Sequence, residues 1–99
     1  MSRMCRHVVV RGRVQGVYFR AFVEEEALKR GVQGWVRNRR DGSVEALFVG
    51  AAEKVQAMIE LCRRGSPPSR VDALEERDAL AEEIDLCRPG DVFSVLPTV

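Results

Sequence analysis

Arg40-Asp41-Gly42 stands between two extended runs, Trp35–Asn38 and Ser43–Val49, near the middle of a 99-residue chain. An Asp-Gly turn flanked by such runs is the strongest short-range hairpin signal a sequence carries, because both residue types tolerate the backbone angles of a tight antiparallel connection. Two antiparallel strands are expected here. The rest of the chain must then be arranged around a central hairpin, with one half of the remaining pattern before it and one half after.

Before the hairpin, Val8, Val9 and Val10 form a β-branched run within Arg6–Arg11, the length and type of a well-covered strand, which is expected to stop at Gly12. From Phe19 or Arg20 to Arg30 the signal is helical. Phe22, Val23, Ala27 and Leu28 gather on one side, and Glu25–Lys29 and Glu26–Arg30 stand four apart with favourable polarity. Gly31 suits the C-terminal cap.

After the hairpin, Ala51–Arg64 predicts a second helix, since Val55, Met58, Ile59 and Cys62 repeat at i, i+3, i+4 and i+7 and Gly65 follows a basic last turn. Ser66-Pro67-Pro68-Ser69 is a loop. Val71–Glu76 reads as a fourth strand of mixed polarity, hence near an edge, and Val92–Leu96 as a short fifth one before Pro97. Between them Asp78–Pro89 is ambiguous: Ala79–Leu86 has helical propensity, yet its place suggests an acidic connection that is only partly regular.

The resulting order is strand, helix, strand, strand, helix, strand, with a short fifth strand. It describes an α+β fold, the ferredoxin-like split βαβ sandwich (βαββαβ), with an antiparallel sheet and two helices on one face. Residues 1–99 make one domain of ordinary size. The fold hosts sensors, RNA-binding domains and enzymes, so function has to come from a site.

Composition narrows the classes. With 45% hydrophobic residues, and 16 basic groups nearly cancelling 15 acidic ones, the chain is neither disordered nor dependent on disulfides or metal for a core. No run approaches the roughly 20 apolar residues of a membrane span, and the N-terminus has no apolar stretch of signal-peptide type, so a soluble, cytoplasmic protein is expected; a monomer is expected as well. The net charge of +1 hides an asymmetry: residues 1–50 carry 10 basic and 5 acidic groups (+5), residues 51–99 carry 6 and 10 (−4). Two solvated faces of opposite sign account for that more simply than steering of an anion. Cys5, Cys62 and Cys87 are odd in number and widely spaced, with only His7 as a nitrogen partner. No metal site is expected, and Cys62 falls on a helix stripe as core filling.

The stretch most suggestive of chemistry is Gly12–Arg20, joining the first strand to the first helix. Two glycines, Gly12 and Gly16, permit tight turns, and a short loop entering a helix leaves several backbone N–H groups without internal partners, which makes an anion cradle. Arg20 adds a planar, permanently charged fork suited to two phosphoryl oxygens. A glycine-rich link with a solvated arginine is the bland reading of the same residues. The spacing fits neither a Walker loop nor a dinucleotide fingerprint.

These residues also carry a resemblance. Gly12–Arg20 matches the Gly-Arg-Val-Gln-Gly-Val-x-Phe-Arg signature of the acylphosphatase family, and Gly34–Asn38 followed by Asp41–Glu45 matches its second signature, in the right order along the whole chain. Departures lie only in Ser66–Val71 and in the end Ser94–Pro97, which lacks the frequent terminal aromatic. The resemblance implies hydrolysis of the carboxyl–phosphate anhydride of a small-molecule acyl phosphate. The products are a carboxylate and inorganic phosphate, the latter also a competitive inhibitor, and neither metal, cofactor nor phosphoenzyme takes part. It implies that the amides of Gln15, Gly16, Val17, Tyr18, Phe19 and Arg20 hold the phosphoryl oxygens, that Arg20 clamps them, and that Asn38 orients the attacking water.

Asn38 has a bland reading as a local backbone partner, but Asp41-Gly42 already supplies the turn, and Asn within a strand is disfavoured without another purpose. Trp35 is expected as a core or sheet-face anchor and His7 as structural. Tyr18 has no assigned side-chain role, and Arg13, Arg37, Arg39 and Arg40 add positive field. Three other functions compete. A carbamoyl-phosphate-handling domain of hydrogenase maturation proteins looks similar but is part of a much longer chain. RNA binding needs sheet aromatics, and the central strands offer only Phe48. An inactive phosphometabolite sensor would keep the cradle without using Asn38.

Overall fold

A computed structural model describes residues 2–99. The elements are β1 (Arg3–Arg13), α1 (Phe19–Arg30), β2 (Gln33–Asn38), β3 (Val44–Ala51), α2 (Ala52–Arg64), β4 (Arg70–Asp78), a single turn α3 (Ala81–Ile84) and β5 (Phe93–Val95). They form one five-stranded sheet in the order β4-β1-β3-β2-β5. The four long strands pair antiparallel, β1 lying between β3 and β4, while the short β5 joins β2 in parallel with Phe93 opposite Gly34. This is the α+β, ferredoxin-like architecture expected from the element order.

Both long helices cover one face. Phe19, Val23 and Ala27 of α1 and Val55, Met58, Ile59 and Cys62 of α2 share a core with Val8, Val10, Ala46 and Phe48 of the sheet. Each fully buried Val, Leu or Phe contributes roughly 1.5–3 kcal/mol, so this layer holds the molecule together. The buried stripe of α1 runs through Phe19, at i, i+4 and i+8, and leaves Leu28 exposed, where Leu28 was expected on the apolar side. Lys29 likewise pairs with Glu26 at 3.2 Å rather than with Glu25, and Glu26 also takes Arg30 at 2.5 Å. Burial of the Cys62 thiol pushes it up to about 12, as befits a core residue.

Gly12 does not end β1. The strand continues to Arg13 through a bulge between Arg11 and Gly12, where β1 and β4 approach so closely that a Cβ on Gly12 would lie 2.2 Å from the Arg70 carbonyl oxygen. Glycine marks close approach there, not termination. The charge asymmetry also has a structural meaning. Arg6 pairs with Glu76 at 2.9 Å and Asp78 at 2.7 Å, and Arg11 with Glu75 at 2.8 Å, so the basic first strand is zipped to the acidic edge strand instead of forming a separate face.

The other sheet face is covered in part by the connection that the sequence left ambiguous. Trp35, Leu47, Val49 and Leu96 are buried there with Cys5, Ala79 and Cys87 packed against them, and the Trp35 indole N–H donates to the Glu83 carbonyl at 2.9 Å. His7 lies beside them, its Nε2 donating to Glu45 Oε2 at 2.6 Å, while Arg37 Nε donates to Glu45 Oε1 at 2.7 Å from above the Trp35 ring. Burial alone would raise the Glu45 carboxyl. The hydrogen bonds from His7 and Arg37 outweigh it and bring the carboxyl to about 2. Arg37 is thus spent on a carboxylate and adds little to the field elsewhere. Phe48 points to the helix side, stacked on Phe93 at 6.0 Å, and is not available on an open sheet face. Among the described residues no helix is long and apolar enough to cross a membrane.

Candidate active site

The loop between β1 and α1 is pinned to the core at three points. Val14, Val17 and Phe19 are buried, and the residues between and after them, Gln15, Gly16, Tyr18 and Arg20, stay on the outer side. Gly16 and Tyr18 both take left-handed conformations, with φ of 72° and 62°. Alternating the hand of φ along successive residues turns their N–H groups into one concavity. Left-handed φ at a tyrosine costs on the order of 1 kcal/mol, and the core contacts on either side hold it in place.

Helix α1 starts in this concavity. Tyr18 is its N-cap residue but supplies no side-chain cap, and the first turn carries no acid, so the positive end of the helix is left uncompensated. The first loop N–H to reach a carbonyl is that of Phe22, which donates to Tyr18 O at 3.0 Å. Among the described residues, the backbone N–H groups from Gln15 through Ala21 have no hydrogen-bond partner.

Arg20, at the second position of α1, lines a cavity of about 440 Å³ together with Gln15, Gly16, Tyr18 and Asn38. That size suits a small-molecule ligand. No ion pair engages Arg20 among the described residues, whereas Arg6, Arg11, Arg37, Arg63 and Arg77 all face carboxylates. Asn38 closes β2. Its backbone pairs with Val44 across the hairpin and its carbonyl accepts from Val99 N at 3.2 Å, so the main chain is held on both sides. Its side-chain Oδ1 is buried and has no hydrogen-bond partner. A buried acceptor left open costs roughly 1–3 kcal/mol unless something fills it, and here it belongs to a residue lining the cavity.

The hairpin that presents Asn38 is a type I turn closed by a left-handed glycine. Gly42 N donates to Arg39 O at 3.1 Å, Gly42 has φ of 93°, and Arg39 N donates to Ser43 O at 2.9 Å. The Asp41 carboxylate accepts from the Ser43 hydroxyl at 2.6 Å and the Ser43 N–H at 2.9 Å, which holds it down at about 2. Gln15 joins this hairpin to the loop: its Nε2 donates to Arg39 O at 2.7 Å and Ser43 O at 2.8 Å.

The structure therefore brings Gln15, Gly16, Tyr18, Phe19, Arg20 and Asn38 to one cavity. Val17 is the exception, since its side chain belongs to the core. Sequence reasoning did not find the Gln15 side-chain bonds, nor Ala21, Glu24 and Val95 as further lining. No local pattern announces them, because each depends on how α1, β2 and β5 pack. The described His, Cys, Asp and Glu groups close enough to share an ion are His7, Glu45 and Glu83, on the opposite sheet face, where Arg37 and Arg77 hold the two carboxylates.

A split βαβ sandwich thus gathers unpaired loop amides, an arginine without an ion pair and Asn38, whose buried Oδ1 lacks a partner, around one cavity at its first loop. The sequence profile of the acylphosphatase family matches residues 6–86. The acylphosphatase of Bradyrhizobium diazoefficiens is 59% identical over 99 residues, covering all of both chains. The crystal structure of acylphosphatase from Bacillus subtilis superposes with a TM-score of 0.79 at 38% identity, covering 96% of this chain and 99% of that one. Full-length HypF in its phosphate- and nucleotide-bound form matches with a TM-score of 0.77 at 25% identity, over 98% of this chain but 12% of its own. The chain belongs to the acylphosphatase family of hydrolases.

Proposed function

We propose that the chain hydrolyses acyl phosphates to a carboxylate and inorganic phosphate at this cavity, without metal, cofactor or covalent phosphoenzyme. The observation that carries the reading is that Asn38, whose buried Oδ1 lacks a partner, lines the same cavity as the loop whose amides from Gln15 to Arg20 are unpaired.

The chemistry asks little of the protein. A departing carboxylate has a conjugate-acid pKa of about 4 and leaves at neutral pH without a general acid. The transition state for phosphoryl transfer is loose, so positioning and stabilisation of the equatorial oxygens supply most of the rate. The amides of Gln15, Gly16, Val17, Tyr18, Phe19 and Arg20 donate to those oxygens at the positive end of α1, and the Arg20 fork takes two of them. Asn38 Oδ1 accepts a hydrogen bond from the attacking water and turns its lone pair toward phosphorus. An amide is too weak a base to take the proton, which passes to the phosphate product or to solvent.

Inorganic phosphate then competes with substrate for the same amides. The three free thiols, Cys5, Cys62 and Cys87, suit a reducing cytoplasmic setting, and a monomer suffices because one chain supplies every group invoked. The test is a phosphate titration followed at the backbone amides of Gln15–Arg20 by NMR. Saturable shifts at those amides are expected for the wild type and not for Arg20→Gln, which should also lose turnover. Equal phosphate affinity in the two proteins would contradict the role given to Arg20.

A further inference from the structure

The cavity is larger than a phosphoryl group, and a carboxylate stands in its lining. Glu24 follows Arg20 by four residues on α1, so it lies on the same helix face about one turn, ~6 Å, further from the amides. It is half-buried, and among the described residues neither a hydrogen bond nor an ion pair engages it, although Glu26, two residues on, is taken by both Lys29 and Arg30. The lining also holds the small Ala21 and the aliphatic Val95 of β5, neither of which can neutralise it. Beyond the phosphoryl subsite the cavity is therefore partly apolar and carries one uncompensated negative charge.

From this juxtaposition of Arg20 and Glu24 we infer that Glu24 is a specificity-determining residue, selecting acyl phosphates whose acyl portion is neutral or cationic over those bearing a second negative charge. The inference rests on the acyl phosphate reading of the cavity. A phosphoryl group held at Arg20 directs the acyl portion into the remaining space, where, apart from Arg20, Glu24 is the one formally charged side chain in the described lining. A second carboxylate on the substrate meets it at several ångströms in a site open to water on one side. Coulomb repulsion under those conditions amounts to roughly a tenfold penalty, and it applies to the acyl portion's charge rather than to its size.

The experiment compares kcat/KM for acetyl phosphate and succinyl phosphate, at low ionic strength and in high salt, in the wild type, Glu24→Gln and Glu24→Lys. The readout is the acetyl-to-succinyl ratio measured on one preparation, so any loss of folded protein cancels. The ratio is expected to be about ten or more in the wild type, to fall severalfold in Glu24→Gln and further in Glu24→Lys, and to shrink in high salt. A wild-type ratio near one, or ratios in both variants within twofold of the wild type, would overturn the inference and leave the acyl phosphate reading standing. Failure of the folded wild type to turn over either compound would overturn that reading and the inference with it.

Discussion

The side-chain amide of Gln15 donates to the carbonyl oxygen of Arg39 at 2.7 Å, and its second proton reaches Ser43 O at 2.8 Å. A residue of the loop between β1 and α1 thereby spends its side chain on the hairpin that carries Asn38, one residue before Arg39. The loop precedes α1 and the hairpin follows it across β2, and this contact fixes the loop against the strand end that carries Asn38.

Gln15→Ala is expected to lower kcat by about tenfold or more with a smaller effect on phosphate affinity, and to cost about 1 kcal/mol in urea denaturation for the two side-chain hydrogen bonds lost, since Arg39 O and Ser43 O each keep a backbone donor within the hairpin. Gln15→Glu should be worse on both counts, because a carboxylate has no proton to offer either carbonyl. Steady-state kinetics and chemical denaturation of the two variants check this.

Glu45 ties three strands together through His7 and Arg37, and its carboxyl is held at about 2 against an ordinary value of 4.5. The unfolded chain takes up the proton first as pH falls, so acid favours unfolding. The contribution is fully present above about pH 4.5 and is lost progressively toward pH 2. Its size is a few kcal/mol at most. Denaturation midpoints between pH 6 and pH 2 should drop steeply in this window for the wild type, and less steeply for Glu45→Gln, which starts lower.

Gly34 has φ of 140°, and a Cβ there would sit 1.8 Å from the Leu47 carbonyl oxygen. The obstacle is the backbone of β3, the central strand of the sheet, so it cannot step aside. Gly34→Ala is expected to cost about 3 kcal/mol or more, enough to unfold a large share of the protein, and thermal melts read it directly.

Much of this was legible in the residues. Asp41-Gly42 announced the hairpin, the stripe Val55, Met58, Ile59 and Cys62 announced α2, and the Gly12–Arg20 and Gly34–Asn38 signatures named the residues that gather at the cavity. What stayed hidden was set by contacts distant in sequence. Gly12 carries the same signal for a strand end as for a bulge, and only its approach to Arg70 distinguishes them. Residues 79–87 have mixed helical and loop character, and their placement over the sheet depends on Trp35 and Leu47 waiting beneath. Val95 enters the site because β5 pairs in parallel with β2, a pairing no local pattern encodes.

The most direct test of the account is hydrolysis of benzoyl phosphate in the presence of EDTA by the wild type and Asn38→Ala side by side, with phosphate inhibition measured on both. The account expects wild-type turnover unaffected by the chelator and a kcat at least about a hundredfold lower in Asn38→Ala, with phosphate affinity within about threefold. A folded Asn38→Ala enzyme that keeps its kcat, or a wild type that stops when metal is removed, would contradict it.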